Sequence, residues 1–236
     1  MSHLKRYAMP RNWPVEVKKK IFIVRPMPGP HAINRCIPLK ILIKDSLDYA
    51  DTSREAKKII TSGKVKVDGV IRRDVKFPVG LMDVIELPDA KEAYRVVLNR
   101  RGIILKKIKS DSDKKLCLIK NKVSVKKGHF QLNLHDGRNI LLKTGADAYK
   151  TGDSIVIQLS DNKILKHYKL EKGVPAFIYA GKNMGVSGTI KEIKKKKTMV
   201  EKSVIIFKTD EKEMETLKGY VFPGYLDLGE SGKESK

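Results

Sequence analysis

The sequence is poor in cysteine, acidic residues and long apolar runs, and each scarcity excludes something. Two cysteines, Cys36 and Cys117, cannot build a disulfide framework. Neither stands in a Cys-x-x-Cys motif or a Cys/His pair at metal-ligand spacing, so no metal site is expected and a reducing cytoplasm fits. No window approaches the roughly 20 apolar residues of a membrane span, and Met1 to Lys20 carry no signal-peptide core. A soluble protein that stays inside the cell is expected, with no membrane partner. The five histidines, at 3, 31, 129, 135 and 167, are scattered. Only His135 beside Asp136 makes a suggestive pair, and it sits at a hairpin turn where Asp is expected for backbone reasons. Gly181 to Gly188 lacks the Gly-Lys-Ser/Thr ending of a phosphate-binding loop and does not open a helix. Asp45, Asp48 and Asp51 share a helix face without a further ligand motif and read as solvated surface. Neither a cofactor nor a small-molecule substrate is expected, nor is catalysis.

What the chain has in excess is positive charge. Lys and Arg number 50 against 27 Asp and Glu, a formal charge of +23 over 236 residues. Such an excess repels itself in a folded state unless a polyanion neutralises it, so nucleic acid is the leading partner. The length allows two or three small domains. No internal repeat of fixed period is visible.

Residues 37–87 are the stretch in which caps, periodicity and turns agree. Pro38 suits a first helical turn, and Leu39, Ile41, Leu42, Ile43 and Leu47 form an apolar stripe up to Tyr49 and Ala50. Thr52-Ser53-Arg54-Glu55 is a capping box that opens a second helix, which stops at Gly63. Lys64-Val65-Lys66-Val67 alternates with period two, Asp68-Gly69 supplies a tight turn, and Val70-Ile71-Arg72-Arg73 starts the return strand. Arg54, Lys57 and Lys58 lie within one helical turn, and Lys64, Lys66, Arg72 and Arg73 extend a basic surface onto the hairpin.

The run from Glu55 to Gly69 resembles an S4 domain, a helix-helix-hairpin RNA-binding module. Phe77-Pro78-Val79-Gly80-Leu81-Met82-Asp83-Val84-Ile85 is more particular and resembles the ribosomal S4e family of eukaryotes and archaea, most of all its archaeal members. His3-Leu4-Lys5-Arg6, Pro10-Arg11-Asn12-Trp13 and Arg25-Pro26-Met27-Pro28-Gly29-Pro30-His31 resemble the family's N-terminal extension. Read from the residues alone, positions 1–30 lack periodicity and set Lys5, Arg6, Arg11, Lys18, Lys19, Lys20 and Arg25 against the single acid Glu16. A poorly ordered arm that orders on docking to RNA is expected. Trp13 is expected either to stack on a base or to anchor the arm hydrophobically onto the second domain.

Beyond Pro88 the pattern turns to short alternating strands. Asn99-Arg100-Arg101-Gly102 is a basic hairpin loop, and Asp136-Gly137 joins Phe130–Leu134 to Arg138–Leu142. By resemblance this stretch corresponds to the central domain of S4e proteins. From Val174 onward, strands flank the glycine-spaced loop from Gly181 to Gly188, which contains Lys182 and Asn183 and resembles a KOW motif on a small SH3-like barrel. Its glycines suit positive backbone dihedrals and let RNA approach the main chain. Lys194, Lys195, Lys196 and Lys197 are expected at a hairpin tip.

The expected fold class is therefore an α+β multidomain protein. A basic N-terminal extension (1–36) precedes an S4-like α-L RNA-binding module (37–87), an antiparallel β central domain (88–172), a KOW/SH3-like β-barrel (173–223) and a flexible tail (224–236). The resemblance implies a structural constituent of the small ribosomal subunit that binds small-subunit (16S-type) rRNA beside neighbouring ribosomal proteins and supports its assembly and translation. The alternative is a transcription or RNA-processing factor that combines S4 and KOW modules. An RNA-modifying enzyme would need a separate catalytic domain, and none is visible.

Overall fold

The computed structural model describes residues 3–108, 112–143, 146–194, 203–209 and 212–224, and its chain gathers into two units, Met1–Asp113 and Lys114–Lys236. In the first unit, strands β1 (Leu4–Lys5) and β2 (Phe22–Ile23) pair with each other, and β3 (Cys36–Pro38) leads into helix α1 (Leu39–Ile41). Helix α2 (Ser53–Thr61) is followed by β4 (Lys66–Val67), β5 (Val70–Ile71), β6 (Pro78–Gly80), β7 (Val84–Leu87), β8 (Glu92–Asn99) and β9 (Gly102–Ile108). The main sheet has the order β5-β4-β7-β8-β9, and β3 pairs with β6.

The first helix is shorter than its apolar stripe suggests. Pro38 is its N-cap, with ψ at 139°, and after one α turn Leu42–Ser46 continue as a π-helical turn. Leu47 N donates to Leu42 O at 3.0 Å, and Asp48 then ends the helix with φ at 50°. The stripe nevertheless serves the core, since Leu39, Ile41, Leu42 and Ile43 are buried. Helix α2 opens as expected: Glu55 N donates to Thr52 Oγ1 and Thr52 N donates to Glu55 Oε2. The hydrogen bond from Thr52 holds the Glu55 carboxyl below its ordinary range. Asp68 and Gly69 both have positive φ, at 52° and 76°, as a two-residue hairpin requires.

A domain boundary expected between 87 and 88 falls inside this sheet. Strands β7 and β8 pair from Val84↔Arg95 to Leu87↔Glu92, so residues 92–108 fold with the S4-like module. Tyr49 and Tyr94 both donate to Glu92, and Lys107 pairs with it, which ties the loop after α1 to β8 and β9.

The arm also departs from expectation. Trp13 is 3% exposed and packs in the core formed by Ile37, Leu39, Ile60, Val67 and Ile103, with Met9 beside it. Its indole Nε1 donates to Cys36 O at 2.6 Å, and Ile103 N donates to Asn12 O at 2.9 Å. Gly102 explains the latter approach: a Cβ there would lie 2.3 Å from Asn12 O. Further along, the His31 ring lies between Gly80, where a Cβ would meet it at 2.3 Å, and Asp83, whose carboxylate is 3.1 Å from Nε2. The excess of cations over acids in residues 1–30 does not keep the arm disordered, because Met9 and Trp13 are buried. A few such apolar anchors, each contributing about 1.5 to 3 kcal/mol when fully buried, outweigh the charge repulsion.

The second unit contains two five-stranded antiparallel sheets. One has the order β12-β11-β10-β13-β14, from β10 (Lys114–Val125), β11 (His129–Leu134), β12 (Asn139–Leu142), β13 (Ser154–Gln158) and β14 (Ile164–Tyr168). The other has the order β18-β17-β16-β15-β19, from β15 (Pro175–Ile178), β16 (Ser187–Lys194), β17 (Val204–Lys208), β18 (Glu213–Leu217) and β19 (Val221–Pro223). Each sheet has its own apolar cluster, around Cys117, Ile119, Leu132 and Ile155 in the first and Ile178, Ile190, Ile205 and Phe207 in the second. No helix among the described residues is long and apolar enough to cross a membrane.

Candidate nucleic-acid interface

Helix α2 buries Ala56 and Ile60 and exposes Arg54, Lys57 and Lys58 on the opposite side. The three cations make no ion pair with any described residue. Nearby, the half-buried Lys40 has its pKa pulled below the ordinary lysine value, first by burial and then by the charges of Lys57, Lys44 and Lys20. That shift means that cations from the arm, the first helix and α2 share one repulsive field. Bringing an anion to the surface would relieve it. Of these, Lys40 and Lys44 were missed by sequence reasoning, because they sit within an apolar stripe.

The hairpin extends the surface unevenly. Arg73 is exposed and Lys66 is half-buried. The Arg72 guanidinium lies over the Phe77 ring at 4.5 Å, and Lys64 pairs with Asp89 at 2.7 Å. Arg100 and Arg101 are exposed at the tip between β8 and β9. In the arm, Lys5, Arg11, Lys18, Lys19, Lys20 and Arg25 are exposed, with Glu16 3.5 Å from Lys19.

Two arm residues expected on the RNA face point elsewhere. Trp13 is in the core and its indole has no free face for a base, so the anchoring alternative describes it. Arg6 is 6% exposed and lines a cleft of about 350 Å³ with Asp45, Asp48 and Asp51. It opens the short helical turn Arg6–Ala8 that follows β1, and its burial there withdraws it from an outward phosphate contact.

In the second unit, Lys182 is exposed and Asn183 half-buried in the loop after β15. Gly181 and Gly185 have φ of 88° and 82°, as expected of that loop. Gly188 is needed for a different reason: a Cβ there would stand 2.4 Å from Lys208 O on the neighbouring strand. Lys194 is exposed and 3.4 Å from Glu215, whereas Lys195, Lys196 and Lys197 lie outside the described residues, as does nearly all of the tail.

Sequence reasoning also missed a buried polar cluster. Lys115, fully buried, pairs with Asp136 at 3.0 Å, and Arg138 Nε approaches the same carboxylate at 3.3 Å. Burial pushes the Asp136 carboxyl up, but Lys115, His135 and hydrogen bonds from Lys115 and Arg138 more than offset it, so its pKa is lowered. Cys117, His135 and Asp136 bring three potential ligand atoms within 4.8 Å of one another. They do not suit a metal ion. The Lys115 ammonium stands where a cation would, and Leu118 N donates to His135 Nδ1 at 3.2 Å. The arrangement is a buried ion pair under a turn.

Comparison with known proteins gives a consistent likeness along the chain. Residues 2–34 match the model of the RS4NT (NUC023) domain, 40–85 that of the S4 domain, and 90–164 that of the ribosomal family S4e. The small ribosomal subunit protein eS4 of Methanocaldococcus jannaschii is 46% identical over 226 residues, covering 93% of this chain and 92% of the relative. The eS4 of Ignicoccus hospitalis is 44% identical over 234 residues, covering 94% and 90%. Among solved structures, the 30S ribosomal protein S4e from Thermoplasma acidophilum superposes with a TM-score of 0.69 at 35% identity, over 80% of this chain and 94% of that one.

Proposed function

The chain belongs to the ribosomal S4e family, and from that premise we propose that it is a structural constituent of the small ribosomal subunit that binds 16S-type rRNA and supports subunit assembly and translation. The observation that carries the reading is the likeness to eS4 proteins over more than nine-tenths of the chain, 93% and 94% for the two relatives above, joined to an S4-like module whose second helix exposes Arg54, Lys57 and Lys58. A transcription or RNA-processing role finds no comparable support.

Mechanistically, the protein acts by binding. Arg54, Lys57 and Lys58 with nearby Lys40 and Lys44, Lys66 and Arg73 on the first hairpin, and Arg100 and Arg101 at the β8–β9 tip position phosphates of folded RNA, and the cations of the arm add further contacts. In this reading Lys182 and Asn183 present a second contact from a KOW-type loop, and the five-stranded sheet around it is an SH3-like barrel. Lys194 to Lys197 extend that contact. Neighbouring ribosomal proteins share the site, the compartment is the cytoplasm, and the protein has no turnover of its own.

Phosphate contacts release counterions, so affinity falls with salt at roughly 0.7 to 0.9 log units per log unit for each contact. The test is binding of the full chain to a 16S-type transcript across a salt series. A steep slope supports the proposal. A flat slope, or no binding at low salt, contradicts it.

A further inference from the structure

The burial of Trp13 leaves the arm with a different aromatic surface. Strands β1 and β2 pair in the register Leu4↔Ile23 and Lys5↔Phe22, and Arg6 N donates to Ile21 O at 2.8 Å. Because side chains alternate across a ladder, Leu4 and Ile23 share one face and pack against the core of the first unit. Lys5 and Phe22 share the other face and are both exposed. The His3 ring lies 5.4 Å from the Phe22 ring on that outer face. Two residues beyond Lys5, Tyr7 is 91% exposed, and across the ladder Ile21 and Phe22 are 74% and 55% exposed.

Rings and aliphatic side chains exposed to this degree within a few residues of one another call for a partner. Its surroundings indicate which. Lys5 stands directly opposite Phe22, Lys18, Lys19 and Lys20 precede Ile21, and Arg11 follows the short helical turn that carries Tyr7. The core of a protein–protein contact is depleted in lysine, whereas single-stranded nucleic acid is held by cations interleaved with aromatic faces.

We propose that the outer face of the β1–β2 ladder, together with the helical turn that follows β1, is a stacking platform for unpaired bases of rRNA, with Phe22 on the ladder and Tyr7 on the turn as its aromatic surfaces and Lys5 as the flanking phosphate contact. The inference rests on the rRNA-binding reading above and adds the residues and the kind of nucleotide recognised. Bases in loops and bulges expose π-faces that duplex RNA hides, so the platform selects unpaired nucleotides and is indifferent to their sequence.

The experiment measures binding of the full chain to an in vitro transcribed archaeal 16S-type rRNA over a salt series. Tyr7→Ala and Phe22→Ala are each expected to weaken binding roughly tenfold, within the range of one lost base–aromatic stack, and to leave the salt slope unchanged. Lys5→Ala is expected to reduce that slope by about 0.7 to 0.9. Tyr7→Phe keeps parental affinity, and Tyr7→Leu binds as weakly as Tyr7→Ala. Melting temperatures of all four Tyr7 and Phe22 variants stay at the parental value, because both side chains lie outside the core. Parental affinity of Tyr7→Ala and Phe22→Ala, with the parent still binding, overturns the platform alone and turns the patch over to a protein neighbour. Full rescue by Tyr7→Leu overturns stacking in favour of apolar packing. Failure of the parent itself to bind overturns the wider rRNA reading.

Discussion

Trp13 donates its indole N–H to the Cys36 carbonyl oxygen at 2.6 Å, joining residues 23 positions apart in the sequence. This hydrogen bond sits in the core of the first unit, at the point where the basic arm meets the strand that leads into α1. It makes the arm part of the fold before any RNA arrives. The same burial, with a smaller contribution from Asp83, pushes the Cys36 thiol up to about 12, so this cysteine is an inert core residue at neutral pH.

Replacing that indole tests the anchoring directly. Trp13→Ala removes a buried aromatic and leaves a cavity, at a cost of about 3 to 5 kcal/mol. Urea denaturation followed by circular dichroism is expected to show that loss, and deletion of residues 1–30 is expected to lower the melting temperature as well. An unchanged transition in both proteins would return the arm to the disordered state that its composition suggests.

The buried pair of Lys115 and Asp136 makes a prediction about pH. Asp136 has a folded pKa below its unfolded value, so its contribution to stability is present above the ordinary aspartate range and fades as pH falls through the folded pKa. Asp136→Asn leaves the Lys115 ammonium without its counter-charge in the core, and losing one partner of such a pair costs about 3 to 5 kcal/mol. The difference between parent and variant is therefore expected to be largest near neutral pH and to shrink on acidification. A difference that stays constant from neutral to strongly acidic pH would show that the charge of Asp136 contributes nothing.

Reversal of Arg54, Lys57 and Lys58 to Glu separates binding from folding. Exposed charges contribute little to stability, so the circular dichroism and melting temperature are expected to match the parent. Affinity for rRNA at low salt is expected to fall by several kcal/mol. The log-log salt slope becomes shallower by about 2 to 3, the equivalent of three lost phosphate contacts. Unchanged affinity would take the α2 face out of the interface.

These residues also show where the sequence could be read and where it could not. The Thr52–Glu55 capping box and the Asp68-Gly69 turn are local devices, with the whole cause of the structure inside four residues, and both are present as expected. The basic face of α2 follows from helical spacing alone. By contrast, Trp13 meets Ile37 and Ile103, and Lys115 meets Asp136, across long stretches of chain. Neither pairing has a periodicity or motif to announce it. Lys115 reads in sequence as one more solvated lysine, and Gly188 as one more flexible glycine, until the strands beside them are placed. The π turn at Leu42–Ser46 is hidden for a related reason: an apolar stripe continues through it, although the hydrogen-bond pattern changes.

Sedimentation of the native protein is the most direct test of its place in the small subunit. Lysate resolved on a sucrose gradient, with and without a moderate salt wash, is expected to show the protein in the small-subunit peak and to retain it there after the wash. Recovery at the top of the gradient in low salt, or with RNA polymerase in place of the subunit, would contradict the account.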